Sequence, residues 1–336
     1  MNTQTTIKHL YIEIPNFKHE VNTNYSYFIE SIKKELTNII NKYQLKLKTI
    51  YLANKNKSVL PINFLEQLLI LLKPLTTTIK EYNFECTINN TNFTTLQLFS
   101  KFQINRLIWK IISFQNQLNN KFNYQQSIKI INDAINLKIN NFSIDLKYNL
   151  PHQTVIDINN DLQICMQLKT PHISYDSYNH KQNITIKRYI NNFLKKHKYD
   201  NYQYYSYSKN TNNQSKYTIA YCLLENYYGI GPNAVSYIKT EDKAIIITNS
   251  NNINNNNQKN SILSTNEILI QKLIQGLLLK KGIKFNKSDN ILEQPLISKL
   301  IKNKQIKIKN NHLSCTNSCW LLLNDLIVDI IINTTI

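Results

Sequence analysis

Leu10-Tyr11-Ile12-Glu13-Ile14-Pro15-Asn16-Phe17-Lys18-His19-Glu20-Val21-Asn22-Thr23-Asn24-Tyr25 is a short strand pattern with a prolyl end and a polar loop. The apolar residues that follow, Phe28, Ile29, Ile32, Leu36, Ile39, Ile40 and Tyr43, recur at helical spacing. A strand, a loop and an amphipathic helix make the first βα unit, and the alternation continues to about residue 200. Strands are expected at 10–14, 47–52, 82–87, 106–112, 142–147 and 172–176. In the second helix Pro61 pre-sets the first turn, and Phe64, Leu65, Leu68, Leu69 and Leu72 form the buried stripe. Six units of this kind suit a partial barrel better than a closed eightfold one. In such a barrel the chemistry sits at the carboxyl ends of the strands, where the loop 15–25 lies.

The chain has 336 residues, 42% of them apolar, enough to bury a substantial core. It has only 4 glycines and 7 prolines beside a great excess of Asn, Ile, Lys and Tyr, the residues of A+T-rich codons. That bias, with only a few polar residues before the first strand and so no room for a transit peptide, gives plastid stroma as the expected location and cytoplasm as the alternative. The net charge of +19 is spread over many helices and loops, so it is read as codon bias on a solvated surface. A nucleic-acid partner is not expected. Cys86, Cys165, Cys222, Cys315 and Cys319 are an odd number without a secretory signal, which argues against a disulfide framework. Cys315 and Cys319 share a helical spacing but have no neighbouring histidine, a poor metal site. The apolar run 320–332 is broken by Asn324, Asp325 and Asp329 and falls short of the roughly 20 residues of a membrane span, so a buried terminal helix is expected.

After residue 200 the pattern changes. A Tyr-rich stretch at 199–205 precedes Tyr227-Tyr228-Gly229-Ile230-Gly231-Pro232-Asn233-Ala234, where two of the scarce glycines imply a tight turn or a close backbone approach. The tract 249–261 is Asn-rich and reads as a linker. Helical patterns at 268–277 and 295–300, a short strand at 305–309 and the final helix make up a small module. The organisation expected is a barrel over 1–200, an extension completing it over 201–248, a linker over 249–263 and a C-terminal helical domain over 264–336.

The opening segment resembles that of the radical SAM proteins of the oxygen-independent coproporphyrinogen III oxidase and heme chaperone family, where a strand and Ile-Pro lead into Cys-x3-Cys-x2-Cys. At that spacing the chain carries Phe17, Val21 and Asn24. Further landmarks follow in the family's order. Residues 45–58 fall where the family has a strand ending in Gly-Gly-Gly-Thr-Pro-Ser. Arg106-Leu107 and Ser113-Phe114 match its Asn-Arg-Leu and Gly-x-Gln-Ser-Phe. Ser143-Ile144-Asp145-Leu146-Lys147-Tyr148-Asn149-Leu150-Pro151-His152-Gln153-Thr154 is similar to its Ile-Asp-Leu-Ile-Tyr-Gly-Leu-Pro-x-Gln-Thr. His172-Ile173-Ser174 and the segment 229–234 continue a likeness that runs over nearly the whole chain.

The resemblance implies an α/β fold, a partial (β/α)6 TIM-like barrel of the radical SAM type with a small C-terminal, winged-helix-like helical domain. It also implies a [4Fe–4S] cluster and S-adenosylmethionine as the family's cofactors, and coproporphyrinogen III dehydrogenation as its activity. Thiolates hold cluster iron; a phenyl ring, an isopropyl group and a carboxamide cannot replace them, so no bound cofactor and no catalytic or metal-ligating residue is expected here. Ala53, Asn54 and Lys55 place side chains where the family's glycine turn lets the backbone approach the cofactor, and Ile112 replaces its glutamine. By the same match Glu85, Asp145, Gly229 and Gly231 are residual positions of the S-adenosylmethionine site, and His152 reads as a solvated loop histidine. Tyr221 and Cys222 fall where the heme chaperones have His-Asn-x-x-Tyr-Trp; both residue types can ligate heme iron, and a buried Tyr and Cys is the ordinary reading. The expectation is a pseudoenzyme of this family that binds at most heme, another tetrapyrrole or a heme-accepting protein. Two alternatives stand beside it. One is an active porphyrin-biosynthesis enzyme with cluster ligands from His19, Glu20 or the remaining cysteines. The other is a basic protein that docks on RNA or an anionic membrane.

Overall fold

The structure is a computed structural model describing residues 4–15, 17, 21–54, 60–88, 91–118, 123–179, 183–240, 243–251, 258–285 and 295–334, with backbone alone at 21–24 and 333–334. Six βα units come first: β1 (Thr6–Glu13), α1 (Val21–Lys42), β2 (Gln44–Ala53), α2 (Ile62–Leu72), β3 (Glu81–Cys86), α3 (Phe93–Lys101), β4 (Arg106–Ile112), α4 (Tyr124–Asn136), β5 (Phe142–Tyr148), α5 (Val155–Gln167), β6 (His172–Ser177) and α6 (Ile184–Lys196). All six expected strands form, and they pair in parallel in chain order.

Side chains along each strand alternate between two faces. On the helix-covered face Leu10, Ile12, Ile50, Leu52, Tyr82, Phe84, Leu107, Trp109, Ile144, Leu146, Ile173 and Tyr175 pack under α1 to α6 in one core. Full burial of such side chains stabilises by about 1.5–3 kcal/mol each, so this face drives folding. Of the stripe expected on α1, Phe28, Ile32, Leu36 and Ile39 are buried, but Ile40 is exposed because it lies off the sheet-facing side. The whole stripe of α2 is buried as expected, with Pro61 one position earlier than the first turn, at the N-cap.

Beyond α6 lie β7 (Asp200–Gln203), β8 (Ser206–Ser208), α7 (Lys216–Cys222), β9 (Tyr227–Ile230), β10 (Val235–Lys239), β11 (Ala244–Asn249) and β12 (Gln258–Leu263). They extend the sheet at both ends to the order β12-β11-β10-β9-β1-β2-β3-β4-β5-β6-β8-β7. The strand β9 runs parallel to β1, so the parallel part has a seventh member. The tract expected to be a linker over 249–263 is partly strand: Gln258–Leu263 pairs antiparallel with β11. Most side chains of β12 are exposed, so backbone bonding holds it and no apolar alternation announces it.

The C-terminal module consists of α8 (Thr265–Gly276), β13 (Ile283–Lys284), α9 (Pro295–Lys302), β14 (Ile306–Lys309), β15 (His312–Cys315), α10 (Asn317–Trp320) and α11 (Leu323–Thr334). Its own core gathers Leu273, Leu277, Ile297, Leu313, Leu323, Leu326 and Ile330 around Tyr204 of the barrel. Trp320 Nε1 donates to Asn201 Oδ1 at 2.7 Å and Lys280 N to Tyr202 O at 3.0 Å, fastening the module to the β7–β8 hairpin. The terminal helix is buried on one face only; Val328, Ile331 and Ile332 are exposed. No helix among the described residues is long and apolar enough to cross a membrane.

Candidate functional site

The face of the sheet turned away from the helices is polar. At the carboxyl ends of the strands it presents Tyr11 and Glu13 of β1, Tyr51 of β2, Glu85 of β3, Lys110 of β4, Asp145 and Lys147 of β5, and Asp176 of β6. Lys110 stands in the middle: its Nζ is 2.8 Å from Asp145 Oδ2 and 3.3 Å from Glu85 Oε1. The Tyr51 hydroxyl donates to the same Glu85 oxygen at 2.7 Å, and Ser143 Oγ donates to Asp145 Oδ1 at 2.8 Å. Burial by itself would depress the Lys110 pKa, but the charges of Asp145 and Glu85 outweigh it and hold the ammonium above the ordinary lysine value. Lys147 pairs with Asp176 at 2.7 Å beside this cluster.

Below the cluster α7 lies against the inner face. Glu81 accepts the first two helical N–H groups, from Lys216 at 2.8 Å and Tyr217 at 3.1 Å, and the Asn83 amide at 3.1 Å. Tyr217 stacks on Tyr51 and Tyr11, with ring centroids 4.8 and 6.0 Å apart. A hydrogen-bonded chain joins this helix to the cluster. Ser215 N donates to the Tyr202 oxygen, which contacts His172 Nε2 at 2.9 Å, and His172 Nδ1 contacts Ser143 Oγ at 2.8 Å. Because Ser143 donates onward to Asp145, the proton of His172 belongs on Nδ1 and Tyr202 donates to Nε2. Burial first, and the Arg106 charge second, keep His172 neutral by pushing its pKa well down.

The loops above are fastened from the helix layer. Asp161 of α5 accepts from Ser113 Oγ, Phe114 N and Gln115 Nε2 at 2.8–3.0 Å; burial still pushes its carboxyl up to about 6. Ile112, which replaces the expected glutamine, has φ of 73° at a bulge between β4 and β5, a strained setting for a β-branched residue.

The other residues singled out by sequence do not converge on one centre. Phe17 packs between α1 and α2, its ring 4.2 Å from Tyr25 and 5.5 Å from Phe64, and so faces the helix layer. The side chains of Val21 and Asn24 lie outside the described residues, as do His19, Glu20 and Lys55. Ala53 and Asn54 are buried. Gly229 lies in β9 and Gly231 just after it, with φ of 95°. A Cβ on Gly231 would stand 2.3 Å from Glu13 O, so the close approach serves the β1–β9 seam. Tyr221 is part-exposed and packs on Tyr227, whereas the Cys222 thiol is buried and pushed up to about 12 by that burial. His152 is exposed, as expected. Lys110 was not singled out, although counting back from Ser113-Phe114 puts it at the glycine of Gly-x-Gln-Ser-Phe. That count was the available signal.

Comparison with known proteins adds to this geometry. No protein-family model matches the chain. It is 26% identical to a putative heme chaperone HemW-like protein of Buchnera aphidicola subsp. Baizongia pistaciae, over 92% of this chain and 89% of that one. It is 25% identical to heme chaperone HemW of Lactococcus lactis over 63% of this chain, and the match spans 62% of the Lactococcus protein, under two thirds of its length. The structure of coproporphyrinogen III oxidase HemN from Escherichia coli, a radical SAM enzyme, superposes with a TM-score of 0.75 at 14% identity, covering 97% of this chain and 90% of that one. These likenesses support a place in the HemN/HemW-like radical SAM family, and the fold is that of HemN.

The family's cofactors are a [4Fe–4S] cluster and S-adenosylmethionine, and the residues present in this chain fit neither. Phe17, Val21 and Asn24 supply no thiolate, and Phe17 is packed in the helix layer. All five cysteines are buried, and burial raises the pKa of Cys86, Cys165 and Cys222, which disfavours the thiolate form that iron needs. At positions that the resemblance assigns to the family's S-adenosylmethionine site, Ala53, Asn54 and Lys110 carry side chains in place of its glycines. Lys110 ion-pairs with both carboxylates that the resemblance assigns to that site.

Proposed function

We propose that this HemN/HemW-like protein is non-catalytic and binds a tetrapyrrole at the carboxyl-end mouth of its barrel. The observation that carries the reading is a rim of exposed apolar side chains. Each helix from α2 to α6 begins with one: Ile62, Phe93, Tyr124, Val155 and Ile184, joined by Ile156 and Tyr178, at 37–71% exposure. Four of these helices are capped by the residue just before, Asn92, Asn123, Thr154 or Asn183, so the apolar residue is held at the mouth end. Apolar side chains gathered at one end of a molecule mark a contact surface. A tetrapyrrole is a flat, largely apolar ring, and a rim of exposed apolar side chains around the mouth suits its faces. The names of the relatives support a heme ligand.

Hemin titration followed by the Soret band should show saturable one-to-one binding by the full chain. Phe93→Asp with Ile156→Asp should weaken it by about tenfold or more, since burying each side chain is worth about 1.5–3 kcal/mol. Ile70→Asp, exposed on the flank of α2, should leave it unchanged. Equal loss in both variants, or no saturable binding, would rule the site out.

A further inference from the structure

We propose that the Lys110 ammonium is a resident cation, holding between Glu85 and Asp145 the place that a cationic ligand would take, so that removing its side chain opens a site for primary or sulfonium cations. This rests on the reading of the protein as non-catalytic. Three adjacent strands build the arrangement: Glu85 projects from β3, Lys110 from β4 and Asp145 from β5, with Lys110 and Asp145 directly paired in register. The ammonium reaches both carboxylates within 3.3 Å, and each carboxylate is braced by one further donor, Tyr51 or Ser143. Neither donor carries charge, and Lys110 is the cation in contact with both carboxylates; Lys147 is engaged by Asp176.

Lys110 also occupies space. It stands at the glycine of the family's Gly-x-Gln-Ser-Phe, and a four-carbon side chain there fills what a glycine leaves open. The cluster remains partly accessible from the mouth, with the Lys110 and Asp145 side chains 34% and 21% exposed. A ligand could therefore reach the carboxylates once the side chain is gone. Two carboxylates stripped of their cation repel each other and attract any cation of suitable size.

The test compares the wild-type chain with Lys110→Gly, using n-propylammonium, S-adenosylmethionine and the uncharged n-propanol as probes in calorimetric titration and thermal shift. Lys110→Gly should bind n-propylammonium and S-adenosylmethionine at least about tenfold more tightly than wild type does, with n-propanol unaffected by the substitution. Its melting temperature should rise with added amine. If the glycine variant does not fold, Lys110→Gly with Asp145→Asn removes the repulsion and should still bind the amine through Glu85. A folded variant that binds neither cation, or a wild type that binds S-adenosylmethionine as tightly as Lys110→Gly, would overturn the inference. Cluster assembly plays no part in these readouts, so failure here is distinct from failure of the non-catalytic reading.

Discussion

Gly231→Ala should destabilise the protein by at least about 3 kcal/mol, or prevent folding, because two effects coincide at that residue. Its φ of 95° lies where side-chain-bearing residues are strained by about 1–3 kcal/mol. Its Cβ would also meet the carbonyl oxygen of Glu13 at 2.3 Å, a backbone atom fixed by the parallel pairing of β1 with β9. The neighbours cannot yield cheaply, since Asn249 Nδ2 donates to Gly231 O at 3.0 Å and ties the turn to β11. Gly231→Asn separates the two effects: asparagine tolerates positive φ but keeps the Cβ, so it should recover little of the loss. Urea unfolding of the three proteins measures this, and near-wild-type stability of the asparagine variant would show that the close approach is not limiting.

Glu81→Ala should cost about 3–5 kcal/mol, the second large loss. The buried carboxylate accepts two backbone N–H groups at the start of α7 and the Asn83 amide; alanine takes the acceptor from both N–H groups and leaves Asn83 only its bond to Ile50 O. An unsatisfied buried donor costs about 1–3 kcal/mol, and the negative charge at the helix N-terminus is lost as well. Glu81→Gln retains one acceptor oxygen and should lose roughly half as much. The stacking of Tyr217 on Tyr51 and Tyr11 depends on where α7 sits, so near-ultraviolet circular dichroism should change in Glu81→Ala before unfolding. An unchanged spectrum and stability would mean that α7 is held by its packing instead.

The parallel strands β1 to β6 were legible because their helix-facing positions are uniformly apolar and the helices between them keep a 3.6-residue stripe. The extension was less so. The four residues of β9 are too short a run to register against two glycines, and β12 keeps most of its side chains exposed, which left a polar strand looking like a linker. In the site the resemblance pointed to Glu85 and Asp145 but passed over Lys110, because a lysine inside a strand pattern reads as a solvent-facing position. The pairing of β4 between β3 and β5, with Lys110 opposite Asp145, makes it an internal counter-ion. The rim was present in the sequence as an apolar residue directly after each capping residue, at Asn92-Phe93, Asn123-Tyr124, Thr154-Val155 and Asn183-Ile184. A helix-period stripe discounts a first-turn residue off its axis, so exposure at the mouth showed only in three dimensions.

On the proposed reading, a radical SAM fold persists here without the cluster and cofactor of its relatives. Anaerobic reconstitution of the full chain with iron and sulfide, followed by reductant and S-adenosylmethionine, tests it directly. The expected result is no stoichiometric cluster and no 5′-deoxyadenosine, because Phe17, Val21 and Asn24 offer iron no thiolate. About four irons per chain in a cluster that yields 5′-deoxyadenosine would contradict it, and would direct the search for ligands to His19, Glu20 and the cysteines.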